Sequence, residues 1–271
     1  MDPVTFAEVV PGRLYFGAIK GGAPKSTENT YYFCTDNTLA YEPFFKDFGP
    51  LSMGQVYRFC VFLRKTMDDP NFAKRKIVYV CDPHPHKRAN AAVNIGAFAV
   101  FYLEKSPDEA FEPLGRLRPA YHPFRDAGYG PNVYQITVLD VLRGLFRGKR
   151  EGWIDLETFD LQEYEHFEKV ENGDLNWHVP GKFLAFSGPS GRKQIIQGYQ
   201  TLTPEDYISY FKKKNVTCVV RLNKKIYDRR QFTDHGIRHV DLYFIDGGVP
   251  PPDILKKFLE LAEGEKGALA V

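Results

Sequence analysis

The sequence predicts an α/β protein built from helices layered against mostly buried strands. Three observations carry that expectation. Short apolar, β-branched runs of strand length recur, among them Lys76-Ile-Val-Tyr-Val-Cys81 and Val216-Thr-Cys-Val-Val-Arg-Leu222. Between them lie longer segments with apolar residues at helical spacing, several opened by capping boxes. Near Asp160 the texture changes to an acidic helical stretch that separates two halves. Strands alternating with helices argue for layered α/β architecture.

A chain of 271 residues has room for one large or two ordinary domains. Apolar residues make up 43% and charged residues 26%, as in ordinary globular proteins. The net charge of +2 gives no reason to invoke nucleic acid or a membrane surface. The first residues lack the basic and apolar regions of a signal peptide, so none is expected. No apolar run approaches the roughly 20 residues of a membrane span. Cys34, Cys60, Cys81 and Cys218 show no paired spacing, so reduced thiols in an intracellular protein are expected.

In the first half, Arg13-Leu-Tyr-Phe-Gly17 and Tyr31-Tyr-Phe-Cys-Thr35 read as strands. Ser52 and Gln55 form a capping box before a helix with Val56, Phe59, Cys60 and Leu63 on one stripe. Residues 76–81 read as a strand, and 88–103, apolar almost all round, as a buried helix. Ser106 and Glu109 open another helix with Pro107 at its first position. Residues 133–146 read as an amphipathic helix.

In the second half, Asp160 and Glu163 read as a capping pair for a helix stopped by Asn172-Gly173. Glu165, Glu168 and Glu171 recur every three residues and would share one face of it. The plain reading of that face is a solvated surface, with Glu165 and Lys169 paired at i,i+4. Residues 182–186 read as a strand, and Thr203-Pro204-Glu205-Asp206 starts a helix. Residues 216–222 read as a central strand.

The last thirty residues have the most distinct grammar. Residues 239–245 read as a strand, and Asp246-Gly247-Gly248 before three prolines reads as a turn. Asp253 would cap a helix carrying Ile254, Leu255, Phe258, Leu259, Leu261 and Ala262. The closing Ala268-Leu269-Ala270-Val271 reads as the start of a buried strand.

One further segment, Cys81-Asp-Pro-His-Pro-His-Lys-Arg88, stands where a phosphate-binding loop would stand, at a strand end before a helix. Its chemistry argues otherwise. An anion nest needs several converging backbone N–H groups, usually with glycines. This loop has no glycine, and two prolines remove donors. A metal site from Cys81, Asp82, His84 and His86 lacks a distant second ligand pair. The expectation is a surface loop, with no metal and no cofactor.

Several stretches together resemble one family. They are Tyr32-Phe-Cys-Thr-Asp-Asn-Thr-Leu-Ala-Tyr41, Lys87-Arg-Ala-Asn-Ala-Ala92, Pro123-Phe-Arg-Asp-Ala127, Glu163-Tyr-Glu-His-Phe-Glu168, Pro180-Gly-Lys-Phe-Leu-Ala-Phe-Ser-Gly-Pro189 and Val220-Arg-Leu-Asn-Lys-Lys-Ile-Tyr227. In order, they resemble the mitotic-exit (cell-division-cycle) dual-specificity phosphatases. The resemblance implies two tandem dual-specificity-phosphatase-like domains, the first without an active site. It places them at 1–158 and 176–271, around an acidic linker helix at 159–175. The second would be truncated before its phosphate-binding loop, because the family's nucleophilic cysteine and phosphate-binding arginine are expected just past Val271.

The resemblance implies that Asp246 is the general acid of that chemistry; taken bare, an Asp before Gly-Gly is more often a turn residue. It also implies that Glu165, Glu168 and Glu171 bind a basic residue downstream of the phosphosite. The implied partners are phosphoproteins with proline after the phosphorylated residue, with no nucleic acid and no membrane. The implied address is nucleus or cytoplasm, with nucleolus, centrosome and spindle as family sites. Two functions compete on this reading. One is a cysteine-dependent protein phosphatase represented here without its nucleophile segment. The other is a catalytically inactive module that binds substrates or partners.

Overall fold

The computed structural model describes residues 6–132, 134–196 and 198–271. The chain divides into two compact units, Met1–Phe159 and Asp160–Val271.

Unit 1 is built on a sheet ordered β1-β2-β4-β3, formed by β1 (Phe6–Val10), β2 (Leu14–Ala18), β3 (Thr30–Phe33) and β4 (Lys76–Cys81). β1, which the sequence reading missed, pairs antiparallel with β2, and the other pairings are parallel. Helix α1 (Met53–Asp68) opens with the expected box, Ser52 and Gln55 capping each other. Helix α2 (Pro85–Tyr102) buries every residue from Arg88 to Phe101, as its all-round apolarity predicts. It packs against α1, against α3 (Pro107–Gly115) and against α4 (Val138–Arg150).

The helix expected over 133–146 is displaced. It starts at Val138, behind a capping box between Thr137 and Asp140. Ile136 is held extended by a bridge to Phe124, so the helix cannot begin earlier. Val133 lies outside the described residues.

Unit 2 opens with α5 (Leu161–Phe167), far shorter than the helix expected to run to Asn172. Glu168 caps its C-terminus, and a separate 3₁₀ turn covers Val170–Asn172. The Asp160–Glu163 capping box is also only half made. Asp160 accepts the Glu163 N–H at 2.9 Å. The Glu163 carboxylate does not reach back, because Tyr210 Oη (2.9 Å) and Lys214 Nζ (2.6 Å) take it.

The five-stranded sheet of unit 2 runs β10-β9-β11-β6-β5, from β5 (Leu175–Val179), β6 (Phe183–Phe186), β9 (Val216–Arg221), β10 (Arg238–Asp241) and β11 (Ala268–Ala270). A small hairpin of β7 (Ile195–Ile196) and β8 (Tyr199–Gln200) stands apart. Only β5 is antiparallel to its neighbour. The expected strand over 216–222 is interior as β9, and β11 is the central one.

Both faces of the sheet are covered, as parallel sheets require. Ala268 and Ala270 of β11 face one core with Phe211 of α6 (Pro204–Lys213) and Phe232 of α7 (Arg230–Thr233). Leu269 faces the other, with Ala262 of α8 (Pro252–Gly264). Asp253 is not the cap of α8. Pro251 is the N-cap and Pro252 the first helical residue, since a fixed φ and a missing N–H suit that position. Leu255 and Leu259, expected on its apolar side, are exposed.

Candidate active-site region

Within unit 2, β6, β11, β9 and β10 all end at the same sheet edge. Ligands of parallel α/β sheets gather in the loops beyond the carboxyl ends of the strands. Asp246 lies in such a loop, between β10 and α8. The strand expected to reach Ile245 stops at Asp241, because its partner β9 ends at Arg221. The chain leans on that end through Leu242 N–H to Arg221 O (3.0 Å) and Phe244 N–H to Leu222 O (3.2 Å), then leaves the sheet.

A tight turn follows, closed by the Gly248 N–H on Ile245 O at 3.0 Å. Gly247 sits at its third position with φ of 72°, where side-chain-bearing residues are strained. Asp246, at the second position, is exposed. A carboxylate on an exposed, glycine-hinged turn at this edge can meet a ligand bound there.

The sequence reading missed the group that anchors the start of this loop. Arg221, 5% exposed, donates from Nε to Asp241 Oδ1 (2.7 Å) and from a terminal nitrogen to Tyr227 O (2.8 Å). Its guanidinium lies 4.5 Å from the Tyr227 ring centre. Lys225 Nζ approaches Asp241 at 3.6 Å. Burial works against the Asp241 charge, but the Arg221 hydrogen bond and charge outweigh it and hold that carboxyl below its usual range. Tyr227 Oη meets His239 Nε2 at 2.9 Å, and burial, then the Arg221 charge, pull His239 down to about 4. No local signal marked the pair, since Arg221 and Asp241 both lie inside the strands expected over 216–222 and 239–245.

The three linker glutamates do not form one helix stripe. Glu165 is on α5, Glu168 caps it and accepts the Tyr164 hydroxyl at 3.2 Å, and Glu171 belongs to the 3₁₀ turn. Lys169 lies beyond α5, as the N-cap of the 3₁₀ turn.

The segment from Cys81 to Arg88 is not a surface loop throughout. Cys81 ends β4 fully buried, Pro85 already starts α2, and exposure is confined to residues 83–87. Arg88 is buried, donating to Pro119 O at 2.8 Å and lying over the Tyr121 ring. It is therefore not available to hold a phosphate. Burial, with the charge of Asp36, pushes the Cys81 thiol up. Burial raises the other thiols as well, Cys218 to about 11. Nucleophilic cysteines need the reverse, an electropositive surrounding that favours thiolate. Among the described residues, no group of three or more His, Cys, Asp or Glu side chains could hold a metal, and no helix is long and apolar enough to cross a membrane.

Comparison with known proteins gives this arrangement its class. Residues 8–148 match the family described as "Dual specificity protein phosphatase, N-terminal half". The human dual specificity protein phosphatase CDC14A is 51% identical over 265 residues, covering 97% of this chain and 44% of the relative. CDC14AB of Danio rerio is 48% identical over 271 residues, covering 100% of this chain and 44% of the relative. The tyrosine-protein phosphatase CDC14 of Saccharomyces cerevisiae is 35% identical over 263 residues, covering 94% and 47%. The chain belongs to the CDC14 family of dual specificity protein phosphatases. It spans less than half the length of these relatives.

Proposed function

We propose that this chain supplies the N-terminal domain and the acid-loop half of a cysteine-dependent protein phosphatase acting on phosphoserine and phosphothreonine followed by proline, and on phosphotyrosine. The observation that carries the reading is Asp246, exposed on a turn at the carboxyl edge of a parallel sheet. In the proposed chemistry a thiolate attacks phosphorus, an arginine with loop amides holds the phosphoryl oxygens, and Asp246 protonates the departing serine oxygen. The thiolate and arginine would come from sequence continuing the central strand β11. None of Cys34, Cys60, Cys81 or Cys218 has an environment that favours thiolate, which supports that assignment. Unit 1 then acts as a tandem phosphatase-like domain without its own active site, consistent with the buried, diverted Arg88. Glu165, Glu168 and Glu171 would attract a basic residue downstream of the phosphosite.

The test compares the 271-residue chain with a form extended through the sequence that follows Val271 in its parent gene. Turnover of a small aryl phosphate is expected from the extended form alone. Turnover by the 271-residue chain, abolished by Cys81→Ser, would overturn both the expectation that these residues lack the nucleophile and the reading of unit 1 as a domain without an active site.

A further inference from the structure

The carboxyl edge of the unit 2 sheet is electrostatically lopsided. The strand order β10-β9-β11-β6-β5 puts β11 one strand from β9 and two from β5. On the β5 side stands Glu171. Its 3₁₀ turn ends just before β5, whose first residue, Leu175, pairs antiparallel with Phe186, the last of β6. The start of β5 therefore lies at the same edge as the ends of the parallel strands.

On the β9 side, the loop after Arg221 carries Lys224 and Lys225, both exposed. The loop after β6 reaches across to it. Gly191 packs so closely on the Ile226 carbonyl that a Cβ would stand 2.5 Å from its oxygen. Arg192, the next residue, is exposed as well. Among the described residues, neither Lys224 nor Arg192 has an ion-pair partner. Lys225 is only a distant second partner of Asp241, at 3.6 Å, because Arg221 already holds that carboxylate at 2.7 Å. Asp228 is held by Arg230 at 2.7 Å. These carboxylates are taken, and the cations are left facing solvent. Their field reaches His239, whose charged form is disfavoured first by burial, then by Arg221, with Arg229 and Lys225 adding to it.

We propose that this basic rim receives an acidic residue one or two positions upstream of the phosphoserine, on the flank of the substrate opposite the downstream basic residue. The inference rests on the reading of unit 2 as part of a phosphatase that binds the phosphoryl group beyond the end of β11. Neighbouring strands are about 4.8 Å apart, so that point is about 5 Å from the end of β9 and about 10 Å from the start of β5. An extended peptide advances about 3.4 Å per residue. A phosphoserine above β11, with its chain running across the edge, brings its third downstream residue to Glu171 and its first or second upstream residue to Lys224 and Lys225. Opposite charges at the two ends also fix the direction of the peptide, since the reversed peptide would set like charges together.

Three peptides test this in the extended form of the enzyme. They share phosphoserine, proline and a downstream lysine, and differ only in the two residues before the phosphoserine, which are Glu-Glu, Ala-Ala or Lys-Lys. The KM should be about 3-fold lower for Glu-Glu than for Ala-Ala and about 3-fold higher for Lys-Lys, because exposed pairs are individually weak. The spread should shrink at high salt. It should collapse in the double variant Lys224→Gln, Lys225→Gln, both positions being exposed. Equal KM values for the three peptides, or a spread that the double variant retains, overturn the inference, while turnover of the Ala-Ala peptide still upholds the phosphatase reading. Absence of turnover of every peptide and of a small aryl phosphate overturns that reading, and the inference falls with it. The three-peptide comparison on the unmodified extended form decides the matter even if the variant does not fold.

Discussion

Arg221 and Asp241 close an ion pair of 2.7 Å at the rung where the parallel strands β9 and β10 both end. Arg221 is almost fully buried, and Asp241 is the last strand residue before the loop that carries Asp246. Arg221→Met should strip Asp241 of its main partner and destabilise unit 2 by about 2–3 kcal/mol, somewhat under the cost of breaking a fully buried pair because Asp241 is partly wetted. Urea denaturation followed by Trp177 in a Trp153→Phe background checks this, since the chain has only these two tryptophans. Because the folded pKa of Asp241 is depressed, its contribution is fully present above the unfolded value of about 3.9 and is lost as pH falls through the folded one.

His239 titrates in a different window. Its folded pKa, about 4, lies below the ordinary histidine value, so the neutral form is the one the fold prefers. Unit 2 should keep this contribution above about pH 6.5 and lose it progressively as the pH falls from there toward 4. The urea midpoint should drop over that interval, and by less in His239→Phe. An identical drop in both proteins would remove His239 as the cause.

Asp246→Ala in the extended enzyme should slow hydrolysis of phosphoserine peptides far more than that of nitrophenyl phosphate. A serine alkoxide needs the proton on leaving, whereas a nitrophenolate barely does. Loss of a general acid costs about 10² to 10⁴ in rate. Equal losses on both substrates would make Asp246 a turn residue only.

Joint replacement of Glu165, Glu168 and Glu171 by Gln in the extended enzyme should raise KM several-fold for peptides with Lys or Arg downstream of the phosphosite. Each exposed pair is worth only about 0.2–1 kcal/mol, so single changes should matter little. Peptides without the basic residue should be nearly unaffected, and the difference should shrink in high salt. A uniform loss on both peptide sets would mark these carboxylates as structural.

Gly267→Ala should destabilise unit 2 by about 1–3 kcal/mol, as overpacking does. A Cβ there would meet the Thr217 side chain and stand 2.6 Å from Asn215 O. Backbone cannot move aside as a flexible side-chain tip can. A thermal midpoint equal to that of the unmodified chain would show that β11 has slack at its entrance.

What was legible in the sequence was local. The Ser52 and Ser106 capping boxes, the helix start at Thr203-Pro204, the strands at 76–81 and 216–222 (the latter ending at Arg221) and the buried helix α2 depend on neighbours within a turn or on an unbroken apolar run. The turn at Asp246-Gly247-Gly248 was legible for the same reason, since glycine alone accepts its third position without strain.

Tertiary structure decided everything that depends on a distant partner. α5 is short, and Glu163 leaves its capping role because Tyr210 and Lys214 compete for its carboxylate from 47 and 51 residues away. The start of α4 is set by a bridge to Phe124, and the end of β10 by the end of β9. Arg221 and Asp241 are 20 residues apart and meet only because parallel pairing puts them on one rung. Periodicity states which face of an element is apolar. It does not state which charged group across the sheet will arrive to take a hydrogen bond, because that follows from strand order and register, which the packed chain alone determines.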